Sequence, residues 1–541
     1  MHEIITIQLG QRANYLATHF WNTQESYFTY SETEKQSPIN HDVHFRPGIS
    51  PADNKTETFT PRTLIYDLKG AFGSLRKINA LYQLEGDDDP ARVSQTSSLW
   101  HRQPVVQQNA PIPPSPYTAA LDAGAAPPAL TSASVKYFSD YSRVFYHPRS
   151  IVQLNEYEAN PGGVMPFERY ETGEELFKEL DREHDLLDRD LRFFLEEADS
   201  MQGLQLFTGL DDAWGGFAAR YTERVRDEIG GKTAVWVWGL EMGGGSGGNS
   251  GGGREKRRLR LGNKARALSE LYKQASVVVP VAVPEGLGQR GGINVDMGSM
   301  WQTMGLVASA VESSLLATRL RDVTKRESMG SLADTLNTLG GQRIARLQMG
   351  WEKVEEEEEE GEDGNRDVRM SKRKLTEEEL SEGVKLGIKF DTSDRLDHYG
   401  GRRDRRGEDE YPRVFSQVVG ARGYDDDEEE PVEKDERGRR MRRSQYEPVT
   451  ASWTTPLAFP ILDSFPGVFR DEDDEPLNRA VNITTGLSAD SSVYKRLKAL
   501  RESTISSIAI EDRESLGNDL MEMADEYHEG WSSGSDDGED D

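Results

Sequence analysis

The chain has 541 residues, with 65 Lys and Arg against 95 Asp and Glu for a formal net charge of −30 at pH 7; at about 150 residues per domain the length suits three or four domains. That charge argues against a main role in gripping nucleic-acid phosphates, because any basic face would work against the field of the whole molecule. Zero Cys excludes disulfide scaffolds, thiolate metal sites and thiol catalysis, no apolar run of about 18 residues occurs, and a hydrophobic content of 35% predicts that part of the chain stays unpacked.

The run Ile4-Ile5-Thr6-Ile7, the Gly10-Gln11 pair and the spacing of Leu16, Phe20 and Trp21 predict strand, tight turn and helix. No signal h-region or Arg- and Ser-rich leader precedes that strand, so a cleaved presequence is not expected. A second strand is predicted at 63–67. Residues 85–135 then read as a disordered insertion, with Pro111, Pro113, Pro114 and Pro116 against regular structure and order resuming near Val144. A helix is predicted at 173–199, opened by a capping box of Thr172 and Glu175 and striped by Leu176, Leu180, Leu187, Leu191 and Phe194. His184 on that stripe reads as a bordering helix histidine, since no second ligand has metal spacing.

Next come a strand at 204–207, a turn at 211–216, and a helix carrying Phe217, Tyr221, Val225 and Ile229. The strand at 233–240 is apolar at nearly every position, as a strand covered on both faces would be. Alternating strand and helix predict βαβ units and a mostly parallel sheet. The second half is interrupted twice, by the glycine run 243–253 with the basic run 254–260, and by the charged stretch 352–445 with its Glu355 to Glu360 run. Both read as solvated insertions. Between them lie a strand at 277–283 and a helix at 306–320. Trp453, Phe459, Ile461, Phe465, Val468 and Phe469 restore an apolar segment, and helices at 491–502 and 511–529 precede an acidic tail.

The glycine run attracts attention as a phosphate loop but lacks the G-x-x-x-x-G-K-[ST] spacing. With eight glycines in eleven residues and no convincing helix after it, it reads as a flexible insertion. The turn 211–216 is the better candidate by context, because it joins a strand to a helix N-terminus where free N–H groups favour an anion. Asp211, Asp212 and the bulk of Trp214 count against it, so by residue types the turn reads as purely structural, with phosphate binding as the alternative. The basic run reads as solvated or neutralised within the chain, with a lipid or DNA contact as the weaker alternative. The acidic runs read as solubilising. No Ser/His/Asp elbow, H-E-x-x-H or zinc constellation is present.

Several residues together resemble tubulin. Met1-His-Glu-Ile-Ile-Thr-Ile-Gln-Leu-Gly-Gln-Arg-Ala-Asn14 is similar to the tubulin opening M-R-E-I-V-x-I-Q-x-G-Q-C-G-N, followed by Phe20-Trp21 where tubulins have F-W. Pro61-Arg62, Asp67-Leu68-Lys69, Ser74 and Arg76 resemble the next tubulin strand and loop. Met201-Gln202-Gly203-Leu204-Gln205 resembles L-Q-G-F-Q, and Glu514-Ser515 with Asn518-Asp519-Leu520 resembles E-S-N-M-N-D-L of the last tubulin helix. The combination, over roughly 1–78, 144–240, 270–350 and 446–530, matches the Misato family, tubulin-like proteins that include the fungal mitochondrial-DNA inheritance proteins.

The resemblance implies an α/β fold: a tubulin-like Rossmann-type nucleotide-binding domain with a parallel sheet (1–240), a flexible insertion (241–266), and a core helix with the start of a second domain (267–350). A charged disordered insertion (351–445), the end of a smaller α+β domain with C-terminal helices (446–530) and the tail (531–541) would follow. It implies GTP or GDP as the only candidate cofactor. Gly10, Gln11, Arg12, Asp67, Gly215 and Gly216 would form a degenerate nucleotide site, with no catalytic or metal residue assigned. In the tubulin pattern the metal-proximal acid becomes Lys69, which cannot ligate magnesium. The guanine-contacting Asn falls on Met304, which cannot pair with a base edge. The loop that completes hydrolysis has only Leu332-Ala333-Asp334 as its nearest counterpart. The expectation is therefore a non-enzymatic interaction protein in mitochondrial partitioning and mitochondrial DNA inheritance, monomeric or in a small complex. It would act peripherally at the outer mitochondrial surface or in the cytoplasm, with cytoskeletal or chaperonin partners and no direct DNA binding. The competing expectation is an active, polymer-forming GTPase of the tubulin and FtsZ kind.

Overall fold

The computed structural model describes residues 2–29, 36–49, 57–75, 112–159, 165–242, 251–284, 287, 292–353, 356–360, 366–370, 388–390, 412–424, 448–471, 473–505 and 510–528. The glycine run up to Ser250, residues 85–111, most of 361–411 and the acidic tail lie outside the described residues.

Six parallel strands make the larger sheet: β1 (Glu3–Leu9), β2 (Thr63–Lys69), β3 (Ile151–Glu158), β4 (Met201–Gly209), β5 (Ala234–Leu240) and β6 (Val277–Val281), in the order β3-β2-β1-β4-β5-β6. Period-2 alternation sends successive side chains to opposite faces. Ile5, Ile7, Val235 and Val237 enter one core while Ile4, Trp236 and Trp238 enter the other. A strand buried on both sides needs apolar side chains in both phases, so β5 reads as a continuous apolar run.

The helices are α1 (Gln11–Glu25), α2 (Pro116–Asp122), α3 (Tyr170–His184), α4 (Arg192–Glu197), α5 (Ala213–Ile229), α6 (Gly251–Gln274), α7 (Met300–Ser314), α8 (Met329–Leu336), α9 (Ser492–Ile505) and α10 (Ile510–Asp525). Residues of α3, α5, α6, α9 and α10 cover one face, and those of α1, α7 and α8 the other. A smaller sheet of β7 (Arg346–Lys353), β8 (Ile388–Lys389), β9 (Val414–Arg422), β10 (Val449–Thr455) and β11 (Val481–Asp490), ordered β8-β7-β11-β9-β10, packs on the far side of α7. No helix among the described residues is long and apolar enough to cross a membrane.

Four sequence expectations need correction. Order resumes by Ile112 rather than near Val144: Ser115 caps α2, Pro116 occupies its first turn where no N–H is needed, and Tyr117 is buried with its hydroxyl 2.9 Å from Asp463. The helix expected at 173–199 is three segments. α3 starts after Arg169 with no side-chain cap, Asp185 at φ 45° ends it, and a π-turn over Leu187–Leu191 leads into α4. The stripe survives, since Leu187, Leu191 and Phe194 are buried in the same core, but His184 faces solvent at 49% exposure. The basic run is not a flexible insertion. It forms the N-terminal turns of α6, as its good helix formers Arg, Lys and Leu allow. The charged stretch 352–445 also conceals a core strand, β9, whose Val418, Val419 and Ala421 are buried. Five apolar residues, Val414, Phe415, Val418, Val419 and Ala421, among long charged blocks made too weak a signal.

Candidate functional site: a crevice at the strand-order reversal

The order β3-β2-β1-β4-β5-β6 reverses between β1 and β4, and open α/β sheets place their ligands beyond the carboxyl ends of the strands at such a point. A crevice of about 300 Å³ lies there. Gly10, Gln11 and Arg12 line it from the turn between β1 and α1, Asp67 from the end of β2, and Asp211, Asp212 and Trp214 from the turn between β4 and α5. Lys256 and Arg260 of α6 complete it.

Gly10 is the N-cap of α1 at φ +86°, a left-handed conformation that glycine adopts without strain. A Cβ there would collide with the Trp214 indole, so the two approach at contact distance. Trp214 is held in place by edge-to-face packing on Phe167, ring centroids 5.2 Å apart.

Arg12 bridges to Asp211 at 2.6 Å, pairs with Asp212, and donates to the Leu240 carbonyl at 3.3 Å. Burial penalises its charge, but the two carboxylates outweigh that and hold its pKa above the ordinary arginine value. Burial also acts to raise both aspartates. For Asp211, Arg12 and the Met242 N–H at 3.0 Å win and keep it below the usual range; for Asp212, burial together with the Asp211 charge wins and keeps it above. Asp212 accepts from the Trp214 N–H at 2.9 Å and is thereby the N-cap of α5. One of the orphan donors that make a helix N-terminus attractive to phosphate, the Trp214 N–H, is thus served by a carboxylate of the chain itself.

Asp67 is buried against Asn14 Nδ2 (2.7 Å) and the Leu68 N–H (2.8 Å). Burial pushes its carboxyl up to about 7, over the opposing effect of those two donors. Among the described residues no group of three or more His, Asp or Glu is placed to hold a metal ion.

Of the six candidates read from sequence, Gly10, Gln11, Arg12 and Asp67 line the crevice, whereas Gly215 and Gly216 do not. These two glycines allow helices to pack closely. A Cβ at Gly215 would lie 2.8 Å from Ala267 of α6, and one at Gly216 would strike the Tyr170 carbonyl of α3. Lys69 turns to Glu158 at 3.2 Å. Met304 is buried in the core, and Met300, one turn earlier on α7, lines the crevice instead. Asp334 sits on α8, which packs against β4, β5 and β9 and lines no part of the crevice. Sequence reasoning missed Lys256, Arg260 and Asn263. Asn263 ties α6 to the site through the Asp211 and Glu168 carbonyls at 3.2 and 2.7 Å. Their i, i+4, i+7 spacing is one helical stripe, legible only once the basic run is taken as helix. The phosphate end of the crevice does not fit a nucleotide's phosphates, because Trp214 lies against Gly10 where close approach would be needed and Asp211 and Asp212 line the wall with carboxylates.

Comparison with known proteins matches residues 2–123 to a Misato segment II tubulin-like domain and residues 127–320 to a tubulin domain. The chain is 56% identical to "Protein dml-1" of Neurospora crassa over 558 aligned residues that cover all of both chains. The chain belongs to the Misato family of tubulin-like proteins. Other Misato-family relatives include "Protein dml1" of Aspergillus clavatus, 45% identical over 99% of each chain, and "Protein DML1" of Eremothecium gossypii, 33% identical over 63% of this chain and 71% of its own. The six-stranded parallel sheet, the second sheet and the C-terminal helices make this Misato-family chain tubulin-like in architecture.

Proposed function

We propose that the chain works by binding partners and not by turning over a nucleotide. Its role would lie in mitochondrial partitioning and the inheritance of mitochondrial DNA, carried out peripherally at the outer mitochondrial surface or in the cytoplasm. One observation carries the first part. The place where phosphates would meet the N-terminus of α5 is taken by the Asp212 cap, and Trp214 lies on Gly10, the residue that would otherwise allow close approach. Family membership supports the second part, through the role that the tubulin-like resemblance implies. Cytoskeletal or chaperonin proteins are the candidate partners, and the net charge of −30 speaks against a direct grip on DNA.

The test is titration of the purified chain with labelled GTP, with and without magnesium, alongside analysis of nucleotide released on denaturation. No uptake and no released guanine nucleotide are expected. Tight, magnesium-dependent uptake would overturn the reading in favour of a polymer-forming GTPase. For the cellular role, depletion should lower mitochondrial DNA retention; unchanged retention would remove that part alone.

A further inference from the structure

A second cavity, of about 310 Å³, lies at the opposite end of the larger sheet from the crevice, where α5, α6 and α8 end. Arg226, Lys273 and Arg343 line it, with the exposed Asp334 as its one acid. Lys273 is matched by Glu270 and Asp519, each at 2.9 Å. The two arginines meet no carboxylate among the described residues. Arg226 donates to the Gln274, Gly230 and Thr233 carbonyls, which carry no full charge. Arg343 gives its Nη1 to the Tyr272 and Lys273 carbonyls at 3.0 Å, and its Nε and Nη2 make no bond among the described residues. Burial, and after it the Arg343 charge, lowers the Arg226 pKa, so the two guanidiniums feel each other. The segment that carries Arg343 is also where the chain leaves α10. Gln342 Nε2 donates to the Glu526 carbonyl at 3.1 Å, and the Tyr527 hydroxyl accepts from the Ile344 N–H at 2.6 Å and donates to the Ile344 carbonyl at 3.0 Å. Residues 526 and 527 thus hold the residues on either side of Arg343. Beyond His528, residues 529–541 lie outside the described residues; they contain six Asp and Glu and no Lys or Arg.

We propose that this cavity is a carboxylate site and that its occupant is the chain's own acidic segment 529–541, an acid of 536–541 meeting the Nε and Nη2 edge of Arg343. A guanidinium fork takes a carboxylate through two parallel N–H···O bonds. Tethering selects this occupant over a foreign acid. The nine residues from Tyr527 to Asp536 reach about 30 Å when extended and about 15–18 Å on average as a flexible chain. Their root is already beside Arg343, and so short a linker keeps the acids at roughly millimolar concentration next to the cavity. A chain of net charge −30 repels anions that arrive from solution, whereas these are held in place by covalent bonds. The contact is self-capping, because a docked segment closes the cavity to other acids.

The chain has no Cys, so a pair can be placed for cross-linking in the full-length protein. Asp334→Cys at the cavity is combined with Ser535→Cys in the segment. The control combines Ser535→Cys with Lys495→Cys, an exposed position on α9, whose Tyr494 ring touches His528. The rate of intramolecular disulfide formation at fixed oxidant is the readout. The cavity pair is expected to close about tenfold faster than the control at low ionic strength. That advantage should be lost in about 1 M salt, with Arg343→Gln, and when the acids of 536–541 are changed to their amides. The amide changes alter no described residue, so they keep the test standing if Arg343→Gln fails to fold. Equal rates for the two pairs, or an advantage that survives the amide changes, would overturn the proposal. So would loss of the advantage to inorganic phosphate at an ionic strength where chloride leaves it intact, since the cavity would then be a site for free oxyanions. The GTP titration decides the proposed function separately, because the crevice lies at the other end of the sheet.

Discussion

Two clusters of arginine and carboxylate sit at opposite ends of α1, and they are composed in opposite ways. At the crevice one arginine, Arg12, holds two aspartates, and one of those, Asp212, keeps its side chain 25% exposed. At the other end one carboxylate, Glu312 of α7, holds two arginines. Arg319 bonds it at 2.6 Å and Arg422 of β9 pairs with it, with Gln24 and the Tyr27 hydroxyl adding bonds at 3.0 and 3.2 Å, and all three charged side chains are essentially unexposed. Burial acts to raise Glu312, but the two guanidiniums hold it below the ordinary carboxylate range. The core cluster is densely hydrogen-bonded and joins α1, α7 and the smaller sheet, so it works as a joint. The crevice cluster carries an excess carboxylate with a raised pKa at the edge of solvent, where its charge can respond to pH or to a partner. Burial and stoichiometry, more than residue type, separate the structural device from the responsive one.

The comparison can be broken by removing the hub of each cluster. Glu312→Ala leaves two buried guanidiniums without a counter-charge and should lower stability by about 3–5 kcal/mol, read as a large drop in the denaturation midpoint. A shift smaller than about 1 kcal/mol would mean that the joint is not what holds the sheets together. Gly216→Ala forces α3 away from α5 through a backbone collision and should cost about 2–3 kcal/mol by the same measurement. Arg12→Leu strands Asp211 and Asp212 and should cost about 2 kcal/mol at pH 7. That loss should shrink at pH 5 as the stranded carboxyls protonate, and a pH-independent loss would refute the responsive role.

The last test is a pH slope, small over any single pH unit. Asp67, near 7 in the fold against about 3.9 unfolded, makes the folded state bind the extra proton, so its contribution is fully present below about pH 4 and is lost as pH rises through 7. His19, lowered by burial to about 3 against about 6.5 unfolded, acts in the opposite sense and loses stability as pH falls below 6.5. The two oppose each other between about pH 4 and 6.5, each by at most about 1.4 kcal/mol per pH unit. Asp67→Asn should therefore steepen the acid-side loss of stability. Parallel wild-type and variant curves would contradict the raised carboxyl.

Five of the six strands of the larger sheet were legible because they carry an apolar pattern that water alone sorts; the edge strand β3 was not, since only Ile151 and Leu154 of it are buried. Ile4 to Ile7 and the Val-Trp-Val-Trp run of β5 could hardly be anything but covered strands. β9 was hidden because its neighbours in sequence are charged, although its neighbours in space are β10 and β11. The crevice was half legible. Gly10, Gln11, Arg12 and Asp67 were implied by the resemblance to tubulin and do line the crevice, but Gly215 and Gly216, implied in the same way, have a small size that serves helix contacts. Lys256 and Arg260 were missed because a basic run after a glycine-rich stretch reads locally as solvated chain.

Local pattern alone determined five strands of the larger sheet, that this sheet is mostly parallel, and that the chain is acidic and cysteine-free, because periodicity and composition are properties of neighbours in sequence. Tertiary structure alone decided that Trp214 lies on Gly10, that Arg12 is shared by two aspartates, and that the basic run roofs the crevice. Each of these joins residues up to about two hundred positions apart, as Arg12 and Asp212 are. No periodicity encodes such a meeting; it follows only when the sheet aligns the ends of its strands.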